Sequence, residues 1–163
     1  MCVGVVVAMA RMRVAGAVVV IVLIVALRAA GIDPATIDTV VISHAHPDHL
    51  FGALAADGRP AFPEARILVS EPEHAFWTGP ADLSRSKIDD RFRRFVTEGA
   101  RRHLTALKDR IELVPSDREM VPGVLAQPTP GHTPGHLSFV VSSGGASLLL
   151  TSDVVHHHIL ALA

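Results

Sequence analysis

Short apolar runs, one longer apolar run and one polar helical stretch organise this chain. Val14 to Leu27 is unbroken and apolar, and Arg11 and Arg13 precede it. It falls short of the about 20 residues a membrane-spanning helix needs. Val and Ile dominate it, which suits a buried strand or helix of a soluble domain. The competing readings are the apolar region of a signal peptide or an anchor, although Arg28-Ala29-Ala30-Gly31 lacks a small-x-small cleavage site, and a mistranslated start. Gly31-Ile32-Asp33-Pro34 is helix punctuation, with Gly ending one helix, Asp capping the next turn and Pro opening it.

Thr39 to Ser43 predicts a strand buried on both faces, and Ile67 to Ser70 predicts another. Leu50 to Ala56 reads as helical, Arg59 to Pro63 as a loop, and Glu71-Pro72-Glu73 as the start of a helix running to Trp77. Ser84 to Lys108 is a long polar helical region in which Ile88, Phe92, Phe95 and Val96 form an apolar stripe; Phe92 and Phe95 could line a substrate pocket, although core packing is the simpler reading. Strands follow at Ile111–Val114 and Met120–Gln127, then a hairpin of Leu137–Ser142 and Ala146–Thr151 joined through Ser143-Gly144-Gly145. Strands alternating with helices, then a late hairpin, argue for a mixed sheet with helices packed on it. The division expected is an apolar N-terminal segment, 1–30, and one domain, 31–163.

Composition narrows the function. The 163 residues suffice for one domain with a real core. A formal net charge of −1 gives no electrostatic footprint for nucleic acid. Arg91, Arg93, Arg94, Arg101 and Arg102 cluster only as the solvated face of a helix. Cys2 is the one cysteine, so neither a disulfide framework nor a thiolate metal site is available. Ten histidines are many for this length, and five of them fall in two compact motifs.

The first motif is Ser43-His44-Ala45-His46-Pro47-Asp48-His49. On an extended segment His44 and His46, two apart, point the same way. Pro47 turns the chain and can swing Asp48 and His49 toward a second ion about 3.5–4 Å from the first. Imidazole and carboxylate ligands suit Zn²⁺, Fe²⁺ or Mn²⁺ in hydrolysis better than a closed structural zinc site. The second motif, Pro128-Thr129-Pro130-Gly131-His132-Thr133-Pro134-Gly135-His136, is a rigid loop with His132 as the ligand candidate and His136 as a residue that orients the loop. The third, Leu148-Leu149-Leu150-Thr151-Ser152-Asp153, is an apolar strand ending in an acid able to bridge two metals.

Taken in order, His44-Ala45-His46-Pro47-Asp48-His49, Gly131-His132-Thr133-Pro134-Gly135-His136 and the strand ending at Asp153 resemble the metallo-β-lactamase superfamily over roughly residues 28–158. Glu73 to Trp77, the polar helix after it and Asp153-Val154-Val155-His156-His157 are most similar to its small-molecule hydrolases, the methyl-parathion-hydrolase-like enzymes and the N-acyl-homoserine lactonases. The resemblance implies an α/β (α+β) fold, the αββα sandwich, and two Zn²⁺ ions. His44, His46 and His132 would hold the first metal, Asp48 and His49 the second, and Asp153 would bridge them. A metal-bound hydroxide would attack an ester, lactone or phosphotriester small molecule, with Asp48 as the catalytic group that orients the nucleophile or shuttles its proton.

The departures set further expectations. No residue matches the family's last histidine for the second metal, so that site is expected to be incomplete and the sandwich to lack its C-terminal part. The acidic-Thr-Gly turn that opens the family is also missing, so the fold is expected to be incomplete at both ends. Ser152 stands where the family usually has Gly. Either one of His156, His157 and His158 replaces the missing ligand or His156 and His157 line the pocket rim, while His74 and His103 read as surface residues. An uncovered apolar face predicts aggregation or pairing with another chain, such as a homo-oligomer. The expected location is cytoplasmic, with secretion or anchoring through residues 14–27 as the alternative and no stable membrane partner otherwise. The competing function is a non-catalytic metal-binding fragment. The charge balance disfavours a nucleic-acid-processing member, and His46 disfavours a diiron flavoprotein-type oxidoreductase, which carries an acid at that place.

Overall fold

The computed structural model describes residues 17–19 and 24–155. Among them are two four-stranded sheets rather than one mixed sheet. The first is parallel, in the order β1 (Ala17–Val19), β2 (Thr39–Val41), β3 (Arg66–Ser70) and β4 (Ile111–Val114). The second is an antiparallel meander of β5 (Arg118–Val121), β6 (Val124–Pro128), β7 (Leu137–Ser143) and β8 (Ala146–Leu150). Parallel pairing needs long crossovers and antiparallel pairing needs only short turns. The chain changes from one habit to the other at Pro115-Ser116-Asp117, and the sheets separate there.

Side-chain alternation explains how the layers stack. Val40, Ile42, Ile67 and Val69 pack against helices, in one core with Leu27, Trp77, Val96, Ala100 and Leu104. Val41, Leu68 and Val114 point the other way and meet Val124, Ala126, Leu137, Phe139 and Val141 of the second sheet. Strands β2 and β3 are therefore covered on both faces, which is why they read as unbroken apolar runs. The helices α1 (Ile24–Ala29), α2 (Pro47–Leu50), α3 (Glu71–Thr78) and α4 (Asp90–Ala106) contribute to the first core, giving a helix–sheet–sheet stack. The outer face of the second sheet carries a row in register, Leu125, Val140 and Leu149, with Leu125 39% and Leu149 54% exposed.

Local signals hold in several places. Asp33 caps the 3₁₀ turn Pro34–Thr36 by accepting from the Ala35 N–H, and Ile32 N–H closes α1 by donating to the Leu27 carbonyl. Gly144 and Gly145, both at positive φ, make the two-residue turn that β7 and β8 require.

Five expectations need correction. The helix expected at Leu50–Ala56 begins earlier, at Pro47, whose fixed φ suits a first helical position. It gives way to a 3₁₀ turn at Phe51–Ala53, because Leu54 pairs instead with Pro60. The single strand expected at Met120–Gln127 is a hairpin, because Pro122-Gly123 turns the chain with Gly123 at φ +83. The helix expected from Ser84 starts only at Asp90, where Asp89 accepts from the Phe92 N–H; Ile88 lies before it. Its buried face is Val96, Ala100, His103 and Leu104, so Phe92 and Phe95, 48% and 52% exposed, are not core packing. His103 is 4% exposed, stacked on Phe51 at 4.1 Å, and not a surface residue.

Of the run Val14–Leu27, only the β1 strand and the start of α1 are described; the rest of that run and His156, His157 and His158 lie outside the described residues. No helix among the described residues is long and apolar enough to cross a membrane.

Phe139 is fully buried between the sheets, whereas Leu149 lies on the open face. Phe139→Ala is expected to cost ~3–5 kcal/mol and Leu149→Ala no more than ~0.5 kcal/mol, read as shifts in the urea unfolding midpoint. Equal shifts would contradict the layer assignment.

Candidate metal centre

The ends of the two sheets meet at one point. The carbonyl of Ser43, just beyond β2, accepts from the Leu137 N–H at the start of β7, 2.9 Å away. His44 and His46 leave β2 on an extended segment, and Pro47 then opens α2, which carries Asp48 and His49. His132 lies on the loop between β6 and β7, and Asp153 on a 3₁₀ turn after β8.

These side chains converge. Asp153 Oδ2 lies 3.6 Å from His44 Nε2, 3.3 Å from His49 Nε2 and 3.4 Å from His132 Nε2. His46 presents Nδ1, 2.8 Å from His132 Nε2. Two groups have ligand atoms close enough to share an ion, His44 with His46 and His132, and His44 with His49 and Asp153. Asp48 stands apart at the rim, with its side chain 62% exposed and Oδ2 3.5 Å from His49 Nε2.

His136 is buried beside the cluster. Its Nε2 accepts from the Asp153 N–H at 3.1 Å, so its proton sits on Nδ1, which faces Thr129 Oγ1 at 2.8 Å. The ring thus ties the His132 loop to the turn of Asp153. Ser152, before Asp153, has φ +50, a left-handed conformation that costs a side chain about 1 kcal/mol and suits Gly. Its hydroxyl is used, since it donates to Ser43 Oγ at 3.0 Å, and Ser43 Oγ in turn lies 3.3 Å from Nδ1 of both His44 and His49.

The donor set fits a cation. His44 Nε2 is buried and has no hydrogen-bond partner, an expensive condition for a polar atom. With its Nδ1 against Ser43, a proton on Nδ1 leaves Nε2 as a bare lone pair facing the cluster. Burial, then the neighbouring imidazoles, holds the His44 pKa far below its usual range. Burial and then His132 push His46 and His136 down to about 4. Neutral imidazole is the form that binds metal.

Glu73, Ser43 and Thr133 are absent from the candidates drawn from the sequence. Glu73 is 1% exposed on α3, and its carboxylate accepts from the Ala45 N–H and from Thr133 Oγ1. The signal that could have found it is the Ser70-x-x-Glu73 spacing at a helix start. A cleft of about 820 Å³ opens from the cluster. His46, His132 and Asp153 lie at one side, with Phe76, Leu83 and Phe92 among its apolar lining.

The metallo-beta-lactamase superfamily matches residues 10–162. The chain belongs to this superfamily. An N-acyl homoserine lactonase of Bacillus thuringiensis is 32% identical over 128 residues, 78% of this chain and 42% of that protein. The solved structure of AidC, a dizinc quorum-quenching lactonase, superposes with a TM-score of 0.74 at 28% identity, covering 82% of this chain and 47% of that one. The hydrolase AbOPH superposes with a TM-score of 0.67 at 31% identity, covering 81% and 46%. The chain therefore spans less than half the length of these relatives.

The lowered imidazoles of His46, His103 and His136 make the metal-free protein acid-sensitive. A buried neutral His takes up its proton more readily when unfolded, so this contribution is complete above about pH 6.5 and falls as pH drops toward about 4. Urea midpoints of the metal-free chain should decline from about pH 7.5 to about pH 5. A flat series would mean these rings titrate normally in the fold.

Proposed function

We propose that this member of the superfamily is a zinc-dependent hydrolase of small esters, lactones or phosphotriesters. The observation that carries this is the buried His44 Nε2, without a hydrogen-bond partner, set among imidazoles and the Asp153 carboxylate. His44, His46 and His132 would hold the first ion, Asp48 and His49 the second, and Asp153 would bridge them. Zinc bound there supplies Lewis acidity toward a carbonyl or phosphoryl oxygen and makes a coordinated water far more acidic than bulk water.

The chain's own groups do the rest. Asp153 is held through its backbone by His136 and places its carboxylate between the two ligand groups. Asp48, at the rim and largely exposed, is placed to take a proton from water entering the cleft and return it to solvent. Phe76, Leu83 and Phe92 give the cleft an apolar lining that accepts an acyl or aryl tail while the polar head meets the histidines. An N-acyl homoserine lactone, the substrate named for the relatives, has that division of character.

A second reading, a metal-binding domain without turnover, is favoured by one observation. Asp48 lies outside both compact ligand groups, which leaves the second of them short of a partner. Metal content separates the readings, because hydrolysis calls for two ions per chain and the second reading for one.

Against a panel of lactones, aryl esters and phosphotriesters, His44→Ala and Asp153→Ala are each expected to abolish hydrolysis while the variants stay folded. Activity unchanged in either would refute the assigned site. Asp48→Asn should lower kcat by about 10²-fold or more with a smaller change in KM, as loss of a proton-transfer group does.

A further inference from the structure

Glu73 occupies the third position of α3, behind the N-cap Ser70. At that spacing a glutamate ordinarily turns back to cap its own helix. Here both carboxylate oxygens reach away from the helix start. Oε1 accepts from the Ala45 N–H at 2.8 Å and from the Trp77 Nε1–H at 2.7 Å. Oε2 accepts from Thr133 Oγ1 at 2.7 Å and from the Gly135 N–H at 3.0 Å.

Three of the partners lie on the two metal loops, and Trp77 lies on α3 itself. Ala45 separates His44 from His46, and Thr133 and Gly135 follow His132. Each oxygen serves one loop, so the rigid carboxylate plane sets the spacing between them. The rest of the contact reinforces that fit. Ser70 Oγ donates to the Gly135 carbonyl at 2.8 Å, and a Cβ on Gly135 would collide with the Glu73 backbone. The buried group is satisfied by four donors, two of them backbone N–H groups that cannot rotate away.

We propose that Glu73 is a positioning residue for the metal centre: its carboxylate locks the His44–His46 segment to the His132 loop and so fixes the separation of the three imidazoles. This rests on the metal-site reading above. A glutamine cannot replace the carboxylate, because one oxygen becomes an NH₂ that faces N–H donors. The Thr133 hydroxyl can reverse and accept, but the Gly135 N–H cannot, so one loop loses its backbone tie.

The test uses the full chain, with Zn²⁺ affinity measured by chelator competition and ligand geometry read from the visible spectrum of the Co²⁺-substituted protein. Glu73→Gln is expected to bind Zn²⁺ tenfold to hundredfold more weakly, the usual effect of removing a group that orients ligands, with altered Co²⁺ bands. Thr133→Val should weaken binding less, and Thr133→Ser, which keeps the hydroxyl, should match the wild type. If Glu73→Gln does not fold, the Thr133 pair decides: weakening in Val alone supports the role. Lowered melting temperature with unchanged affinity and spectrum, in either Glu73→Gln or Thr133→Val, would overturn it as merely structural. A wild-type chain that binds neither ion would overturn the metal centre itself and this role with it.

Discussion

A carboxylate removed from water must find donors, and the Glu73 side chain finds them on three separate segments of the chain. That requirement shapes much of what surrounds it. Helix α3 has to start where it does, capped by Ser70, so that its third residue faces the loops. Residue 135 has to be Gly, because the loop backbone passes against the helix start. Trp77, one turn further along α3, covers the carboxylate and places its ring edge-on to His46 at 5.5 Å. His44 and His46 are held neutral because the same close packing excludes the water that would stabilise their charge.

The strand and helix signals in the sequence were strongest where tertiary context agreed with local preference. Val40-Val41-Ile42 and Ile67-Leu68-Val69 read as doubly buried strands and are so, because helices and the second sheet cover opposite faces. The helix start at Glu71 was legible from its Pro, and the hairpin turn from its glycines. Separation of the sheets was legible only through the family resemblance, which implies a sandwich; the strand pattern alone pointed to one mixed sheet, since whether two groups of strands pair edge to edge or stack face to face depends on long-range contacts. Phe92 and Phe95 show the limit of periodicity. Their spacing is helical, but the helix they lie on turns its small residues, Gly99 and Ala100, toward the core instead. Phe51 fills the space beside Gly99, with His103 stacked on it, and this contact could not be read from either segment alone.

The site divides in the same manner. His44, His46, His49, His132 and Asp153 stand out in the sequence by type and spacing, and the fold brings them together. What surrounds them is built from ordinary residues. Ser43, Thr129, Thr133 and Ser152 carry no signal in one sequence, yet their hydroxyls meet the rings and turns that aim the cluster. Ser152 even stands at a left-handed φ where Gly would be easier, and its hydroxyl reaches Ser43 across 109 residues of chain.

That span has a meaning for stability. The parallel sheet alone gathers His44, His46, Asp48 and His49, all from one short segment. His132 and Asp153 arrive only when the antiparallel meander has formed and docked, after the longest loop closures in the chain. The cluster is therefore complete only when the seam between the two sheets is closed. An ion that takes ligands from both sides of the seam binds only the docked state, and so would act as a clasp that holds the two sheets together.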